Sequence, residues 1–223
     1  MYHLIVNFQE NPAIGLYAFA NNKFCLIRSG LSKNLLSKIE ETLKVPVYEV
    51  SICESDLIGA YIAGNDNILL VPSIALDSEI ELLKKICDKH NVNLVVLEVI
   101  ENALGNNLII GNKKILLNSD FSKREIKKIG QKTKMQVEQI KIPEISAIGS
   151  ICRFNSRGGI CGKYKELFSE KLEIKFEEGT VLHGSIFVSI GVITNNFGCI
   201  LSKENTGIEI AQIDEALGFV ELG

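Results

Sequence analysis

Short apolar runs along this chain of 223 residues alternate with amphipathic stretches, and their order repeats five times. Each repeat has an apolar segment with a glycine, an asparagine-containing turn, a second apolar run, a stretch with helical spacing and a closing apolar run. The repeats read AIGLYAFANN, LIGAYIAGND, ALGNNLIIGN, AIGSICRFNS and SIGVITNNFG at their starts. We therefore predict one domain over residues 1–223, with units beginning near residues 13, 57, 103, 147 and 189.

The second unit shows the predicted elements most clearly. LIGAYIAG reads as a strand, a polar turn follows, and ILLVP reads as a second strand. A helix then begins, with Asp77 or Ser78 as its N-cap. NLVVLEVI closes the unit as a buried strand. The apolar stripe of the helix consists of Ile80, Leu82, Leu83 and Ile86.

Other units vary on this plan. In the third, Ser122 and Glu125 predict a capping box at the start of the helix. In the fifth, GIEIAQIDEALG predicts the least regular helix, and FVEL reads as the closing strand. The segment YHLIVNF at the N-terminus is an additional strand with no helix before it.

Five equivalent glycines mark the repeat, at spacings of 44, 46, 44 and 42 residues. A fixed period near 45 residues is typical of repeat architectures, in which a unit buries its apolar face only against its neighbours. A leading half-unit that pairs beside the last unit would close a ring and remove exposed sheet edges. We predict a closed five-fold α/β propeller. The five glycines are Gly15, Gly59, Gly105, Gly149 and Gly191.

Composition narrows the range of functions. The formal net charge of −3 argues against a protein held mainly by nucleic-acid phosphates, so a protein partner should carry much of any such contact. No run approaches the length of a membrane helix, and MYHLIVNFQE does not read as a signal peptide. Six dispersed cysteines without a CxxC pair favour a reducing, cytoplasmic location and no disulfides.

Several segments together carry a family resemblance. DLIGAYIAGNDNILLVP, ENALGNNLIIGNKKILLN with DFSKRE, AIGSICRFNSRGGI and EGTVLHGSIFVSIGVITNN resemble translation initiation factor 6 over essentially the whole chain. That family comprises the anti-association factors of the large ribosomal subunit in archaea and eukaryotes. The chain ends soon after the fifth unit, without the long tail of eukaryotic members, and so resembles the archaeal type.

The resemblance implies a pentein fold and binding at the inter-subunit face of the large ribosomal subunit. The implied partner is a ribosomal protein beside the sarcin–ricin region of the rRNA, and a bound factor would exclude the small subunit sterically. It implies no catalysis and no cofactor. The glycine turns would then form the docking face, and ALGN, with Gly105 and Asn106, matches the family motif. The predicted contact residues are Gly15, Ala60, Tyr61, Gly105, Asn106, Asn107, Ser150 and Val192.

Some of these predicted contact residues have a structural explanation and others do not. Positive φ or close backbone approach accounts for the glycines. Asn106, Asn107 and Tyr61 are better candidates for contact, whereas Ala60 stands where the family often has a basic residue.

Two other sets of polar residues have an alternative structural explanation. The asparagine turns fit hairpin chemistry better than ligand binding, since asparagine tolerates the left-handed conformation. Arg153, Arg157 and Lys163 could reach phosphate, although scattered basic residues are more often only solvated. The asparagine turns are those at Asn21–Asn22, Asn65–Asp66, Asn112, Asn155 and Asn195–Asn196.

The alternative hypothesis is an enzyme. The same fold supports guanidino-modifying enzymes that use a cysteine nucleophile, a histidine and carboxylates in the axial channel. Cys199 and His183, with Glu177 and Glu178, would be the candidates here. Cys199 lies within an apolar run and His183 has no acid at an informative offset, so a core thiol is the better interpretation. The three histidines are widely spaced, which predicts no metal site, and a nucleotide-binding P-loop motif is absent.

Overall fold

Five separate three-stranded sheets account for the strands in the computed structural model, which describes residues 2–220. The strands are β1 (His3–Ile5), β2 (Ala18–Ala20), β3 (Cys25–Ile27), β4 (Val47–Glu49), β5 (Ala63–Gly64), β6 (Ile68–Pro72), β7 (Asn93–Leu97), β8 (Leu108–Ile110), β9 (Lys114–Leu117), β10 (Gln136–Gln139), β11 (Cys152–Phe154), β12 (Gly159–Cys161), β13 (Phe176–Glu178), β14 (Val192–Thr194) and β15 (Cys199–Leu201). The longer helices are α1 (Lys33–Leu43), α2 (Asp77–Lys89), α3 (Lys123–Thr133), α4 (Lys165–Leu172) and α5 (Gly207–Ala216).

Every sheet has the same topology. An inner strand pairs antiparallel with a middle strand, and the middle strand pairs parallel with an outer strand, which follows the helix in the first four units. In the third unit, for example, Ile109 of β8 lies opposite Leu116 of β9, and Ile115 lies opposite Val137 of β10. Parallel neighbours need a long crossover connection, and the helix supplies it in the first four units.

The N-terminal strand closes the ring. β1 pairs parallel with β15, placing His3 opposite Cys199 and completing the fifth sheet in the order β1-β15-β14. The closed five-fold α/β architecture predicted from the repeat is therefore confirmed. The prediction of a closing strand at FVEL is wrong for Phe219 and Val220, which lie in a bend, and the rest of that segment lies outside the described residues.

The apolar cores form between units. The middle residue of an inner strand packs into the core of the following unit, so that Ile109 of the third unit contacts the cluster containing Phe168 and Phe176 of the fourth. Phe19, Ala63 and Ile193, from the first, second and fifth units, likewise pack into the core of the unit that follows. A single unit would leave this surface exposed, which is why the ring folds as a whole.

Five short helical turns precede the inner strands and meet around the ring axis. Their glycines allow backbone to contact backbone: a Cβ on Gly59 would overlap the carbonyl oxygen of Gly15, and one on Gly105 would overlap that of Gly59. The predicted strand at LIGAYIAG is thus wrong in its first half, because close packing requires a compact helical turn there. The turns are Ile14–Tyr17, Ile58–Tyr61, Leu104–Asn107, Ile148–Ser150 and Val188–Gly191.

The fifth unit departs from the predicted register. Ser189, not Gly191, occupies the position of the other glycines, because a Cβ on Gly15 would overlap the carbonyl oxygen of Ser189. Gly191 instead lies beside Val181 and the Asn205 side chain. The string SIG resembles the AIG of other units but is displaced by two residues.

Glutamates near the helix N-termini tie the helices to the ring. Glu79 of α2 accepts hydrogen bonds from Ser51 Oγ (2.9 Å) and from the backbone nitrogens of Cys53 (2.7 Å), Glu54 (3.0 Å) and Leu76 (3.0 Å). Leu76, and not Asp77 or Ser78, is therefore the residue before the helix, because the Glu79 carboxylate satisfies its free amide.

The predicted capping box at Ser122 and Glu125 is confirmed. The fifth helix is regular as well, with a capping box formed by Thr206 and Glu209. Glu209 also accepts a hydrogen bond from the nitrogen of Gly184 (2.8 Å), in the tight turn before the fifth unit.

Replacing Gly105 by alanine should destabilise the ring by roughly 1–3 kcal/mol, the usual cost of overpacking, because the new methyl group meets the rigid carbonyls of Gly59 and Ile62. Gly207→Ala is the matched control. A Cβ there meets nothing within 4 Å, and the residue starts a helix, so a gain of about 0.5 kcal/mol is expected. Urea denaturation of both variants measures the difference, and equal stabilities would contradict this account of the turns.

Glu79→Gln tests the buried carboxylate. Burial alone would raise the pKa of Glu79, but hydrogen bonds from Leu76, Glu54, Ser51 and Cys53 lower it below the ordinary 4.5. A lowered native pKa stabilises the fold above pH 4.5, and this contribution is lost as the pH falls through the native value. We expect a cost of about 2 kcal/mol at pH 7 that shrinks towards pH 3.

Urea titrations of Glu79→Gln at several pH values check this expectation. Glu81→Gln, which removes an exposed carboxylate from the same helix, serves as the matched control. A destabilisation by Glu79→Gln that stays constant from pH 7 to pH 3 would count against the carboxylate network.

Candidate functional site

The ring has two chemically different faces. The inner strands β2, β5, β8, β11 and β14 run from the helical turns to the tips of the hairpins, so turns and tips lie at opposite ends. We call the side with the five helical turns the turn face. The opposite side, which carries Asn21, Asn65, Gly111, Asn155 and Asn195, is the asparagine face.

The predicted contact residues do not share one environment. Tyr61, Gly105 and Asn106 are partly exposed on the turn face. Neither the Tyr61 hydroxyl nor the Asn106 side chain has a hydrogen-bond partner among residues 2–220. The others are buried: Gly15, Ala60 (7% exposed), Asn107 (8%), Ser150 (6%) and Val192 (0%).

Asn107 has a structural explanation. Its Oδ1 accepts a hydrogen bond from Asn118 Nδ2 (3.0 Å), which also donates to the carbonyl oxygen of Ser146 (2.8 Å). Its Nδ2 donates to Glu101 (3.4 Å). Val192 belongs to β14 and packs in the core of the fifth unit, a consequence of the displaced register there. The accessible part of the predicted site is therefore centred on Tyr61 and Asn106.

The arginine at this end of the first unit is paired within the chain. Arg28 Nη2 lies 2.8 Å from the Asp56 carboxylate and bridges the first and second units. The Arg28 guanidinium also lies 5.1 Å from the centre of the Tyr17 ring, a cation–π distance. Arg28 is therefore not a free cation on the turn face.

Asparagine side chains link the units on the other face. Asn21 Nδ2 donates to the carbonyl oxygen of Asn65 (3.0 Å), and Asn65 Nδ2 donates to that of Gly111 (2.8 Å). Asn155 Nδ2 donates to Asn195 O (3.4 Å), and Asn195 Nδ2 to Asn21 O (3.1 Å). Four of the five unit boundaries are thus bonded by the same group.

Each of these asparagines also shapes its own hairpin. Asn21 Oδ1 accepts from the nitrogens of Lys23 and Phe24, both at 2.9 Å, and the other three asparagines repeat the arrangement. The four side chains thus stabilise their hairpin turns by hydrogen bonds. The expected left-handed conformation is wrong, since none of the four asparagines has positive φ.

The third unit differs from the others at its hairpin tip. Gly111 holds the equivalent position, not Asn112, and an ion pair between Lys113 and Glu173 (2.8 Å) spans the boundary there.

An axial cavity of about 320 Å³ runs between the two faces. Gly59, Gly105 and Gly149 border it on the turn side, and hairpin-tip residues border it on the asparagine side. Cys152 and Arg153 of β11 contribute to the wall, whereas no histidine does within the described chain.

The proposed enzymatic residues are not brought together. Cys199 is fully buried in β15, outside the cavity wall, and burial together with the nearby Asp214 carboxylate raises the pKa of its thiol well above 9.0. His183 is exposed on a tight turn, where its Nε2 lies 3.6 Å from Glu204. Glu177 pairs with Lys165 and Lys175, and the Glu178 carboxylate accepts from the nitrogen of Tyr164.

A buried cluster at the ring closure escaped the sequence analysis. Asp214 Oδ2 lies 3.1 Å from His3 Nδ1 and 3.3 Å from the Tyr2 hydroxyl, and its Oδ1 lies 3.8 Å from Cys199 Sγ. This cluster fastens the N-terminal strand to the last helix. Tyr2 and His3 are more than 200 residues from Asp214 in the sequence. The only sequence signal for their contact is the aspartate within the last helix.

The predicted phosphate-binding trio is dispersed as well. Arg157 stacks on the Phe219 ring at 4.4 Å beyond one end of β12, Lys163 is exposed beyond the other end, and Arg153 points between the fourth and fifth units.

Comparison with known proteins identifies the family. Residues 4–216 match the profile of the eIF-6 family. The chain belongs to the eIF-6 family. Translation initiation factor 6 of Pyrococcus horikoshii is 33% identical over 222 residues, covering 96% of this chain and 98% of that protein. The protein of the same name from Staphylothermus marinus is 34% identical over 213 residues, covering 93% of each. This eIF-6 family chain is thus related to archaeal translation initiation factors, as the segments of the sequence indicated.

Solved structures show the fold. A histidine-to-glycine variant of dimethylarginine dimethylaminohydrolase, as its adduct with S-methyl-L-thiocitrulline, aligns with a TM-score of 0.50 at 15% identity. The alignment covers 74% of this chain and 68% of the other. The eIF-6 family chain therefore has the pentein fold that was predicted.

Residues 2–220 contain neither a helix suited to span a membrane nor a cluster of metal-ligating side chains. No described helix has the length and apolar character that crossing a bilayer requires. Within the same residues, no group of three histidine, cysteine or acidic side chains is arranged to hold a metal ion.

Thiol reactivity provides a direct test of the site chemistry. Five of the six cysteines are buried, and Cys53 alone is partly exposed. Burial and the Glu79 carboxylate raise the pKa of Cys53 to about 11, so at pH 8 only a small fraction is thiolate. We expect slow labelling of one thiol by an aromatic disulfide reagent, abolished in Cys53→Ser, and labelling of all six in guanidinium chloride. Fast labelling that Cys199→Ser removes would restore the enzymatic hypothesis.

Proposed function

We propose that this protein binds the large ribosomal subunit and prevents its association with the small subunit, without catalysing a reaction. The observation that carries the proposal is the match to translation initiation factor 6 over more than nine-tenths of the chain. We assign the turn face, around Tyr61 and Asn106, as the docking surface.

The construction of the turn face supports this assignment. Backbone contacts between Gly15, Gly59 and Gly105 fix the turns relative to one another, so side chains on either side of the glycines project from a rigid base. A preformed surface loses little conformational entropy on binding. Asn106 follows Gly105 directly, and its amide is available to a partner.

Charge supports a protein partner over bare rRNA. The chain carries a formal net charge of −3, and Arg28 of the turn face is already paired with Asp56. Contacts to phosphates would need free cations. We therefore propose a ribosomal protein beside the sarcin–ricin region of the rRNA as the main contact.

Exclusion of the small subunit then follows from mass action. Two partners that need overlapping surface on the large subunit compete, and the tighter or more concentrated one displaces the other. A monomeric disc in the cytoplasm suffices for this role, in keeping with six free cysteines among the described residues.

A pair of asparagines in the third unit tests the docking face. Asn106 lies before β8 and Asn112 after it, one on each face, and neither side chain has a hydrogen-bond partner among residues 2–220. Asn106→Arg should weaken co-sedimentation with purified large subunits at least tenfold, because a long cation replaces a short amide at the centre of the contact. Asn112→Arg should leave binding unchanged.

The controls separate failure of binding from failure of folding. Both variants should unfold at the wild-type temperature within about 1 °C, because both positions are at the surface. Loss of binding in Asn112→Arg alone would place the docking surface on the asparagine face. Wild-type protein that neither binds large subunits nor blocks subunit joining, but releases citrulline from arginine, would replace this proposal by the enzymatic one.

A further inference from the structure

One position of the inner strands is charged in a single unit. Arg153 lies at the middle of β11, opposite Ile160. The equivalent residues in the other units lie opposite the middle strand in the same register and are all apolar. They are Phe19, Ala63, Ile109 and Ile193.

One nitrogen of the Arg153 guanidinium, Nη1, has a structural role. Its Nη1 donates to the carbonyl oxygens of Gly149 and Cys152, both at 3.2 Å. At the first boundary, the equivalent carbonyls of Gly15 and Ala18 are covered by Gly59. At the boundary between the fourth and fifth units, Ser189 stands where a glycine would approach. The guanidinium of Arg153 covers the carbonyls of Gly149 and Cys152 there instead.

The other edge of the guanidinium is open. Within residues 2–220, Nε and Nη2 have no hydrogen-bond partner and no carboxylate pairs with Arg153. The side chain is partly exposed, and it borders the axial cavity. Burial lowers the pKa of Arg153 to about 10, so the group remains charged at neutral pH. An uncompensated cation removed from bulk water is costly.

The cavity wall contains no carboxylate paired with Arg153 in the described chain. Asp66 is the one carboxylate that lines it, and both of its oxygens accept from Asn22, through the backbone nitrogen (2.8 Å) and Nδ2 (2.6 Å). The nearest thiol, Cys152, has its pKa raised to about 12 by burial and is neutral. The remaining walls are apolar side chains, backbone, asparagine amides and the hydroxyl side chains of Ser156 and Thr194.

We propose that the axial cavity is a binding site for a small oxyanion, held by the Nε–Nη2 edge of Arg153. That edge presents two parallel N–H groups, the geometry that recognises a carboxylate or a phosphate bidentately. The volume of about 320 Å³ lies at the lower end of the range for small-ligand sites, roughly 300–1,000 Å³. The guanidinium edge lies inside the cavity and not on the Tyr61–Asn106 surface, so the proposal does not depend on the ribosomal role.

Titration with phosphate, sulfate, acetate and citrate at constant ionic strength, balanced with chloride, tests the site. We expect saturable binding of at least one of these anions by calorimetry, and a rise in Tm of about 3 °C at tenfold excess over Kd. Phosphate and sulfate are tetrahedral oxyanions, whereas acetate and citrate bind through planar carboxylates. Comparing the two pairs shows which geometry the site prefers.

Three variants make the test specific. Arg153→Ile installs the residue found at the equivalent position in the third and fifth units and should abolish binding. Arg153→Lys keeps the charge but loses the fork, so affinity should fall at least tenfold. Lys163→Ala removes an exposed charge of the same sign and should bind like wild type.

A crystal soaked in selenate locates the anion even if Arg153→Ile does not fold. An anomalous peak within hydrogen-bonding distance of Nε and Nη2 is the expected result. Selenate found only at the surface, ordered water alone on that edge, or binding that Arg153→Lys and Lys163→Ala weaken equally would overturn the proposal.

Discussion

Backbone contact between neighbouring turns is the constraint on which the rest of the ring depends. Gly15, Gly59, Gly105 and Gly149 approach the preceding turn so closely that a single methyl group would overlap a carbonyl oxygen. These four contacts, at four of the five boundaries, set the spacing of the turns around the ring axis. The apolar cores between units and the axial cavity follow from that spacing, since each inner strand can then reach the next unit.

The two faces solve the same problem of joining units with different chemistry. On the turn face the joints are steric, and side chains there are left free to meet a partner. On the asparagine face the joints are hydrogen bonds from Asn21, Asn65, Asn155 and Asn195, each of which uses both its side-chain oxygen and its side-chain nitrogen. A docking surface built on the turn face therefore disturbs fewer bonds within the ring.

Periodicity was enough to predict five units, their helices and a closed α/β ring, because each unit repeats both its apolar spacing and its turn residues. It could not predict the register of the fifth unit, where SIG at Ser189–Gly191 imitates AIG two residues out of place. Nor could it predict environments set by distant partners. Asn107 is a polar residue in a turn by sequence, but Asn118 and Ser146 bury it in the fold.

Departures from five-fold symmetry separate structural from functional positions. Gly111 lacks the joining amide of its equivalents, and the pair Lys113–Glu173 spans that boundary instead. Ser189 lacks the close approach of a glycine, and Arg153 covers the exposed carbonyls with one edge of its guanidinium. In both cases the fold itself supplies the compensation. Asn106 and the open edge of Arg153 have no such compensation within residues 2–220. Their polar groups are therefore open to a partner from outside the chain, one at the surface and one in the cavity.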